Sequence, residues 1–294
     1  DRFWFRELPP HPLAFFRIVS GLILGYYMSD KFLLYREFLS TEGYHLPILD
    51  SSFFQPIYIE PLPPQAALIV VWLFITFLIM FTVGFYTRLS TITLFLLLFY
   101  ISLLDLVSSY TINKLYLVSL FCLIWTPCGK IWSLDSYLEN KKYTESLAKP
   151  VSYGWVERLF QVTLILQYLI AGLAKILPGP GRGDWVKRTD VLFTQIGGLY
   201  QTPFAYWLMN HLSMEGWVIM QYLALSFELS LIFLLIIPKL RPIGIMGGII
   251  FALFIAATMH MLLPFSLQMI SFYIFFLPPH WFEKIHIDFK IHAK

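Results

Sequence analysis

Long apolar runs separated by short polar loops set the pattern of this chain. A helix that crosses the hydrocarbon core of a bilayer needs about 17–25 mostly apolar residues. By that measure eight spans are predicted, over residues 12–28, 66–86, 89–108, 112–127, 155–177, 217–237, 243–262 and 264–277. The fourth and eighth runs are short, and the last two are almost continuous, as in a tight helical hairpin or a re-entrant pair.

The loops carry a second signal. With an inner N-terminus, thirteen Lys and Arg residues fall in inner segments and five in outer ones, the bias of the positive-inside rule. An even number of spans with both termini cytoplasmic follows, because dropping one span would scatter the basic loops over both sides. Two long outer loops, 29–65 and 178–216, are rich in aromatics such as Phe53-Phe54 and the stretch from Tyr200 to Trp207. They read as segments lying at the outer interface. The inner loop 129–154, with Trp132, Tyr137 and Lys141-Lys142, reads as an interfacial helix. The expected fold class is therefore all-α: a polytopic integral membrane bundle in one domain, 1–294, without a separate soluble domain.

Composition agrees. The chain is 58% hydrophobic and 13% charged, about half the charged share of an average soluble domain. A net charge of +3 from dispersed residues argues against nucleic acid as a partner, and the bilayer itself is the first expected one. No secretory signal peptide is visible, and the sequence starts at Asp1 without Met, so the first natural residues are expected to precede it. Cys122 and Cys128 fit neither a redox motif nor a zinc framework and read as small buried side chains. No metal site, inverted repeat, phosphate-binding glycine loop, HExxH or GxSxG is present.

What changes the picture is the set of ionisable groups inside the apolar runs. Glu228 lies mid-run in 217–237, where a carboxylate costs several kcal/mol unless it is paired or faces a polar cavity. A short side chain cannot snorkel, so Glu228 is expected to be buried and either paired or protonated. Asp105, Lys114, Lys175 and His260 fall near the outer ends of four different spans, the arrangement of an outward-facing polar pocket with Glu228 below it. Bland readings stand beside this one. Lys175 and Arg17 are placed to snorkel, Asp105 and Lys114 to neutralise each other across the turn 108–111, and His260 to be a hydrogen-bonded packing residue. The chemical reading of Lys175 rests on its neighbourhood: Ala171 and Gly172 make a small-residue face that admits a backbone or a flat ring. A desolvated amine is a usable general base. Together they point to an apolar ring bearing an acidic hydroxyl, a membrane quinol.

At these residues the chain resembles a known family. The pieces are Phe16-Arg17-Ile18 with Gly21, Gly84 to Arg88-Leu89-Ser90, Leu103-Leu104-Asp105, Leu115-Tyr116 and Trp132-Ser133-Leu134-Asp135. They continue with Ile170-Ala171-Gly172 and Lys175, Asp184-Trp185, Glu228-Leu229-Ser230, and Arg241 with Ile243-Gly244. In this order they resemble the transmembrane domain of vitamin K-dependent gamma-glutamyl carboxylase and its short bacterial relatives, the horizontally transferred transmembrane (HTTM) family. The resemblance implies that Lys175 is the base that deprotonates a vitamin K-type hydroquinone. That quinol would react with dioxygen to give the alkoxide that deprotonates a substrate Glu, to which carbon dioxide adds. It places Glu228 where the family has an acidic residue; together with the small-residue face and the depth of the polar groups, the expected cofactor site is Ala171, Gly172, Glu228 and His260, with Arg17, Asp105 and Lys114 as supporting polar groups. Two departures stand out: the family's assisting His falls at Ile112, and the first of its paired lysines is Ala174. The large lumenal domain that binds the substrate propeptide in the animal enzyme has no expected counterpart here, which, like Ile112, speaks for a non-catalytic helper.

Three functions follow as expectations. The first is a quinol-dependent enzyme modifying a peptide or protein at the outer face. The second is a non-catalytic helper in maturation or export of a secreted peptide toxin, beside a small partner protein. The third and weakest is a transporter, since the ionisable groups gather at one leaflet and do not line a path across.

Overall fold

Every apolar run becomes helix in the computed structural model, which describes residues 4–45, 59–104, 111–142, 151–177, 184–278 and 280–283. The chain divides into two compact units, residues 1–157 with 278–294 and residues 158–277.

The first unit opens with a two-residue strand, β1 (Glu7–Leu8), paired antiparallel with β2 (Ser152–Tyr153). Between them run α1 (His11–Leu33), α2 (Tyr35–Leu39), α3 (Pro64–Val83), α4 (Thr87–Leu104), α5 (Thr111–Ile124) and α6 (Leu134–Lys142). The helices begin where the chain supplies a starting residue. Pro12 and Pro64 occupy first-turn positions, where a missing N–H is harmless and φ is already helical. Helix α3 ends at Gly84 in the left-handed conformation, its N–H reaching back to Met80 and Phe81 carbonyls, a glycine-dependent stop. Sequential neighbours pack together, α1 on α3, α3 on α4 and α4 on α5, around Phe16, Leu24, Phe74, Phe81, Leu94 and Tyr116.

One knot at the end of this unit gathers several of the family-like pieces. Arg17 is fully buried and donates to the carbonyls of Cys128, at 2.8 Å, and Trp132. The carboxylate of Asp135 accepts from the backbone N–H groups of Tyr86 and Thr87, each at 2.8 Å, and from the Thr87 hydroxyl, so it caps the start of α4. The Asp135 N–H in turn donates to the Gly84 carbonyl at 3.0 Å. A Cβ on Gly84 would lie 2.5 Å from Ser133 Cβ and 2.6 Å from Arg17 Nη1. The sequence expectation that Arg17 snorkels is thus corrected: its guanidinium is buried against carbonyls of the non-helical segment between α5 and α6. Cys128 is part of the same knot, and burial pushes its thiol pKa up, in keeping with a packing role.

Helix α7 (Trp155–Ile176) begins in the first unit and continues into the second. The second unit holds α8 (Asp184–Lys187), α9 (Val191–Ile196), α10 (Pro203–His211), α11 (Met214–Ile236), α12 (Arg241–Thr258) and α13 (Leu263–Phe272), with 3-10 turns at His260–Leu262 and Tyr273–Phe276. A last short helix, α14 (His280–Glu283), returns to the first unit and packs on α1. Thr202 and Ser213 cap α10 and α11, accepting from the N–H groups of Ala205 at 3.1 Å and Gly216 at 3.2 Å.

Among the described residues, six helices are long and apolar enough to cross a membrane: α1, α3, α4, α7, α11 and α12. The shorter apolar helices Thr111–Ile124 and His260–Phe276 stand where the fourth and eighth runs were expected. The expected seventh span, 243–262, ends earlier, at Thr258. Met259 turns extended and bridges Gln201, while the His260 N–H goes to the Tyr200 carbonyl. Those backbone groups are committed to the 200–202 segment, so the helix stops one turn before the sequence pattern does.

Candidate functional site

Within the second unit, α7 and α11 come together at small residues. A Cβ on Gly172 would meet Leu229 Cδ2 at 2.9 Å and Glu228 Cβ at 3.4 Å. The bare glycine therefore lets the Glu228-Leu229 face of α11 close onto α7. The consequence appears one turn further on, where the Lys175 ammonium forms an ion pair and hydrogen bond with Glu228 Oε2. The two partners differ in cover: the Glu228 side chain is 5% exposed and that of Lys175 20%. The carboxylate lies behind, and the amine is the part of the pair open to a ligand.

The third member is Trp185, a buried residue of α8. The Lys175 nitrogen sits 4.5 Å from the centroid of its ring, within cation–π range. Trp185 is held there by Gln221 of α11, which is fully buried. The Gln221 amide nitrogen donates to the carbonyls of Trp185 at 2.8 Å and Arg188 at 2.7 Å, and its oxygen accepts from the Leu192 N–H at 3.0 Å. Both amide hydrogens and the oxygen are used, so a single side chain ties residues 185–192 to α11. Beyond the tie, Arg188 pairs with Asp190 at 2.8 Å and holds that exposed carboxyl below the usual carboxylate range, chiefly through their hydrogen bond. Below it, Trp217 packs with Ile196 and Ala205.

The aromatic wall continues through α7 and its neighbours. Tyr168 stands edge-on to Phe227, centroids 6.3 Å apart, and both approach Phe251. Gly248 of α12 makes room for the Tyr273 hydroxyl, which a Cβ there would strike. Ile170, Leu173 and Leu177 are exposed at helical spacing, forming an apolar stripe on the face of α7 opposite Gly172 and Lys175.

The residues singled out in the sequence separate as follows. Lys175, Glu228 and Gly172 come together, with Ala171 half-buried beside them. Gly172 serves helix packing, since α11 fills the face that a ring was expected to use. His260 is exposed, and among the described residues its side chain makes no hydrogen bond or ion pair; only its backbone N–H is fixed, by Tyr200. Lys114 is exposed on α5, and Asp105 lies outside the described residues. Ile112, at the position of the family's His, is buried in the first unit. Its neighbour Asn113 accepts from the Tyr27 hydroxyl at 2.7 Å and donates to Ser102 Oγ at 3.3 Å. Among the described residues no group of three or more His, Cys, Asp or Glu is arranged to hold a metal ion.

Two participants were not singled out from sequence. Trp185 was quoted only as part of a resembling run, and nothing in its local pattern shows that its ring covers the amine. Gln221 had a signal: an uncharged but strongly polar side chain seven residues before Glu228 lies on the same helix face.

Comparison with known families joins this geometry to a lineage. The model of the HTTM domain matches residues 5–281, and the chain belongs to that family. With its six long apolar helices, it is an integral, multi-pass membrane protein of the carboxylase-associated HTTM group. No solved structure matches the chain.

Proposed function

We propose that this HTTM protein is a quinol-dependent membrane enzyme in which Lys175 takes the proton from an acidic ring hydroxyl. The observation that carries the reading is the partly exposed side chain of Lys175, backed by the buried carboxylate of Glu228 and flanked by the flat ring of Trp185. A lysine kept only as an interfacial anchor needs no carboxylate behind it. A proton acceptor at membrane depth does, because the ammonium formed on proton uptake must be stabilised where water is scarce.

The surrounding residues suit a flat, lipid-soluble ligand. Trp185 offers a stacking face beside the partly exposed Lys175 side chain. When bound, a vitamin K-type quinol with dioxygen would supply the strong base that activates a Glu of a peptide or small protein, with carbon dioxide as the added group. The ion pair is the state after proton uptake: the neutral Nζ of Lys175 accepts the hydroxyl proton, and the ammonium so formed pairs with the Glu228 carboxylate. Glu228 fixes the side chain and balances its charge, and Gln221 keeps Trp185 in place. By the Lys/Arg asymmetry of the loops, this end of α7 faces outward and both termini inward.

A second reading is a non-catalytic helper in peptide maturation, acting beside a small partner protein. Ile112 favours it, since an aliphatic residue at the family's His position cannot share a proton. The deciding experiment measures oxygen uptake and quinol oxidation by purified protein given reduced naphthoquinol, together with mass spectrometry of lipids extracted from it. The enzyme reading expects turnover that Lys175→Arg abolishes. Full peptide maturation by a Lys175→Arg variant would leave the helper.

A further inference from the structure

We propose that the first unit carries a binding site for an anionic phospholipid, with the phosphate held at Arg88 and an acyl chain laid along a ladder of aromatic rings between α4 and α5. This site is independent of Lys175 and of the reaction assigned to it.

The head of the site is a cavity of about 370 Å³ at the start of α4, lined among others by Arg88, Trp125, Thr126, Ser152, Tyr153 and Trp155. Among the described residues Arg88 is the one charged residue in that lining, which includes no carboxylate. Among the described residues Arg88 has no acidic partner; its guanidinium carbon lies 6.0 Å from the Trp125 ring. An adjoining cavity of about 230 Å³ shares Arg88 and brings Lys130 within reach. The two carboxylates there are already engaged, Glu139 by Lys130 at 2.9 Å and Asp135 by the start of α4. The larger cavity thus carries the single positive charge of Arg88, while the charges lining the adjoining one balance.

Its rim is aromatic and open. Trp125 and Tyr153 are each more than half exposed, at 58% and 55%. Tryptophan and tyrosine concentrate where apolar chains meet headgroups. A guanidinium offers a planar fork of donors matched to phosphate oxygens, and basic pockets at helix ends are a recurrent way of holding anionic headgroups.

The tail of the site runs up the helices from that rim. Trp125 contacts Phe121 at 6.3 Å between centroids, Phe121 contacts Phe95 at 6.0 Å, and Phe95 stacks on Phe99 at 6.2 Å. The ladder starts at the end of α5 and crosses once to α4, and Phe99, Phe121 and Trp125 are exposed along it. A continuous aromatic track that ends on an unpaired cation matches one chemistry: an apolar chain with an anionic head.

The test uses the purified full chain in neutral detergent. Phosphatidylglycerol, phosphatidylcholine and inorganic phosphate are each titrated while the thermal denaturation midpoint is followed. Phosphatidylglycerol should raise the midpoint and phosphatidylcholine should not, and Arg88→Gln should weaken the phosphatidylglycerol titration by about tenfold, equivalent to losing one charge-assisted contact. Equal responses of parent and Arg88→Gln, or equal effects of the two lipids, would overturn the site. Inorganic phosphate reproducing the shift would overturn the lipid assignment in favour of a free anion. Should Arg88→Gln not fold, the parent decides alone: a phosphatidylglycerol with a photoreactive acyl chain should crosslink mainly to residues 95–99 and 118–125. Crosslinks spread evenly over all apolar helices, without competition by unlabelled phosphatidylglycerol, would overturn it.

Discussion

Gln221 and Glu228 lie seven residues apart on one face of α11 and hold opposite sides of Lys175: Glu228 binds the ammonium directly, and Gln221 fixes the tryptophan that covers it. Two turns of helix, about 10 Å, thereby set both the charge partner and the aromatic wall of the site.

The tie by Gln221 is testable apart from the ion pair. Gln221→Leu removes three buried hydrogen bonds, each contributing about 1 kcal/mol net, and leaves the Trp185 and Arg188 carbonyls without their donor. The denaturation midpoint in detergent should fall, with increased proteolysis near residues 185–192. Activity should fall even at temperatures where the fold persists. Unchanged activity with lowered stability would limit Gln221 to a structural tie.

Glu228 and Lys175 should show strong coupling. Removing one partner of a buried ion pair costs about 3–5 kcal/mol because the other charge is left uncompensated. Glu228→Ala and Lys175→Met should each destabilise clearly, Glu228→Gln should cost less, and Lys175→Met with Glu228→Gln together should recover part of the loss. Strictly additive denaturation shifts would show that the two side chains do not depend on each other.

Lys175→Arg separates an anchor from a proton acceptor. Arginine preserves a long cation and an ion pair with Glu228, but a guanidinium does not become neutral in a protein. Expression and denaturation midpoint should stay near those of the parent while quinol oxidation is lost. Activity within a few-fold of the parent would remove the general-base role.

Gly84→Ala tests the knot of the first unit. Gly84 has φ of 78°, and an added Cβ would press on Ser133 and Arg17. The left-handed backbone alone costs an L-residue about 1–2 kcal/mol, and the contact adds to it. Gly25→Ala in α1, where a Cβ would meet only Leu78 at 3.3 Å, should be milder. Equal denaturation midpoints for the two variants would contradict the crowding at Gly84.

Topology is open to labelling. Leu199, 92% exposed, and Leu138, 47% exposed, belong to loops assigned to opposite faces by the positive-inside rule. A membrane-impermeant maleimide added to intact cells should modify Leu199→Cys and spare Leu138→Cys. The reverse pattern would invert the protein in the membrane.

Much of the fold was legible because membrane helices announce themselves by length and composition. The two short runs stayed short in the structure, and the ends that shifted did so for tertiary reasons. Nothing in 259–262 shows that its backbone pairs with residues 200–202. In the site, Glu228 was legible as a carboxylate that cannot reach water, and Lys175 as the amine above a small-residue face. The role of that face was not, because Gly172 admits a ring and a leucine equally well on sequence grounds, and Leu229 took the place. The proposed outer cluster of Asp105, Lys114, Lys175 and His260 was drawn from depth alone, which says nothing about azimuth. Lys114 and His260 are each exposed in their own unit.

Arg17 gives the chain an order of assembly. Its carbonyl partners, Cys128 and Trp132, follow it by 111 and 115 residues. While a ribosome is still making the intervening helices, the first apolar segment therefore carries a guanidinium whose eventual acceptors do not yet exist. That segment has to remain provisional, shielded by the insertion machinery or by snorkelling to the surface, until the Cys128–Trp132 turn emerges to receive it. Nascent chains stalled before Cys128 should accordingly hold their first helix loosely in the bilayer and release it to alkaline extraction, and chains long enough for Cys128 to Asp135 to have left the ribosome should not.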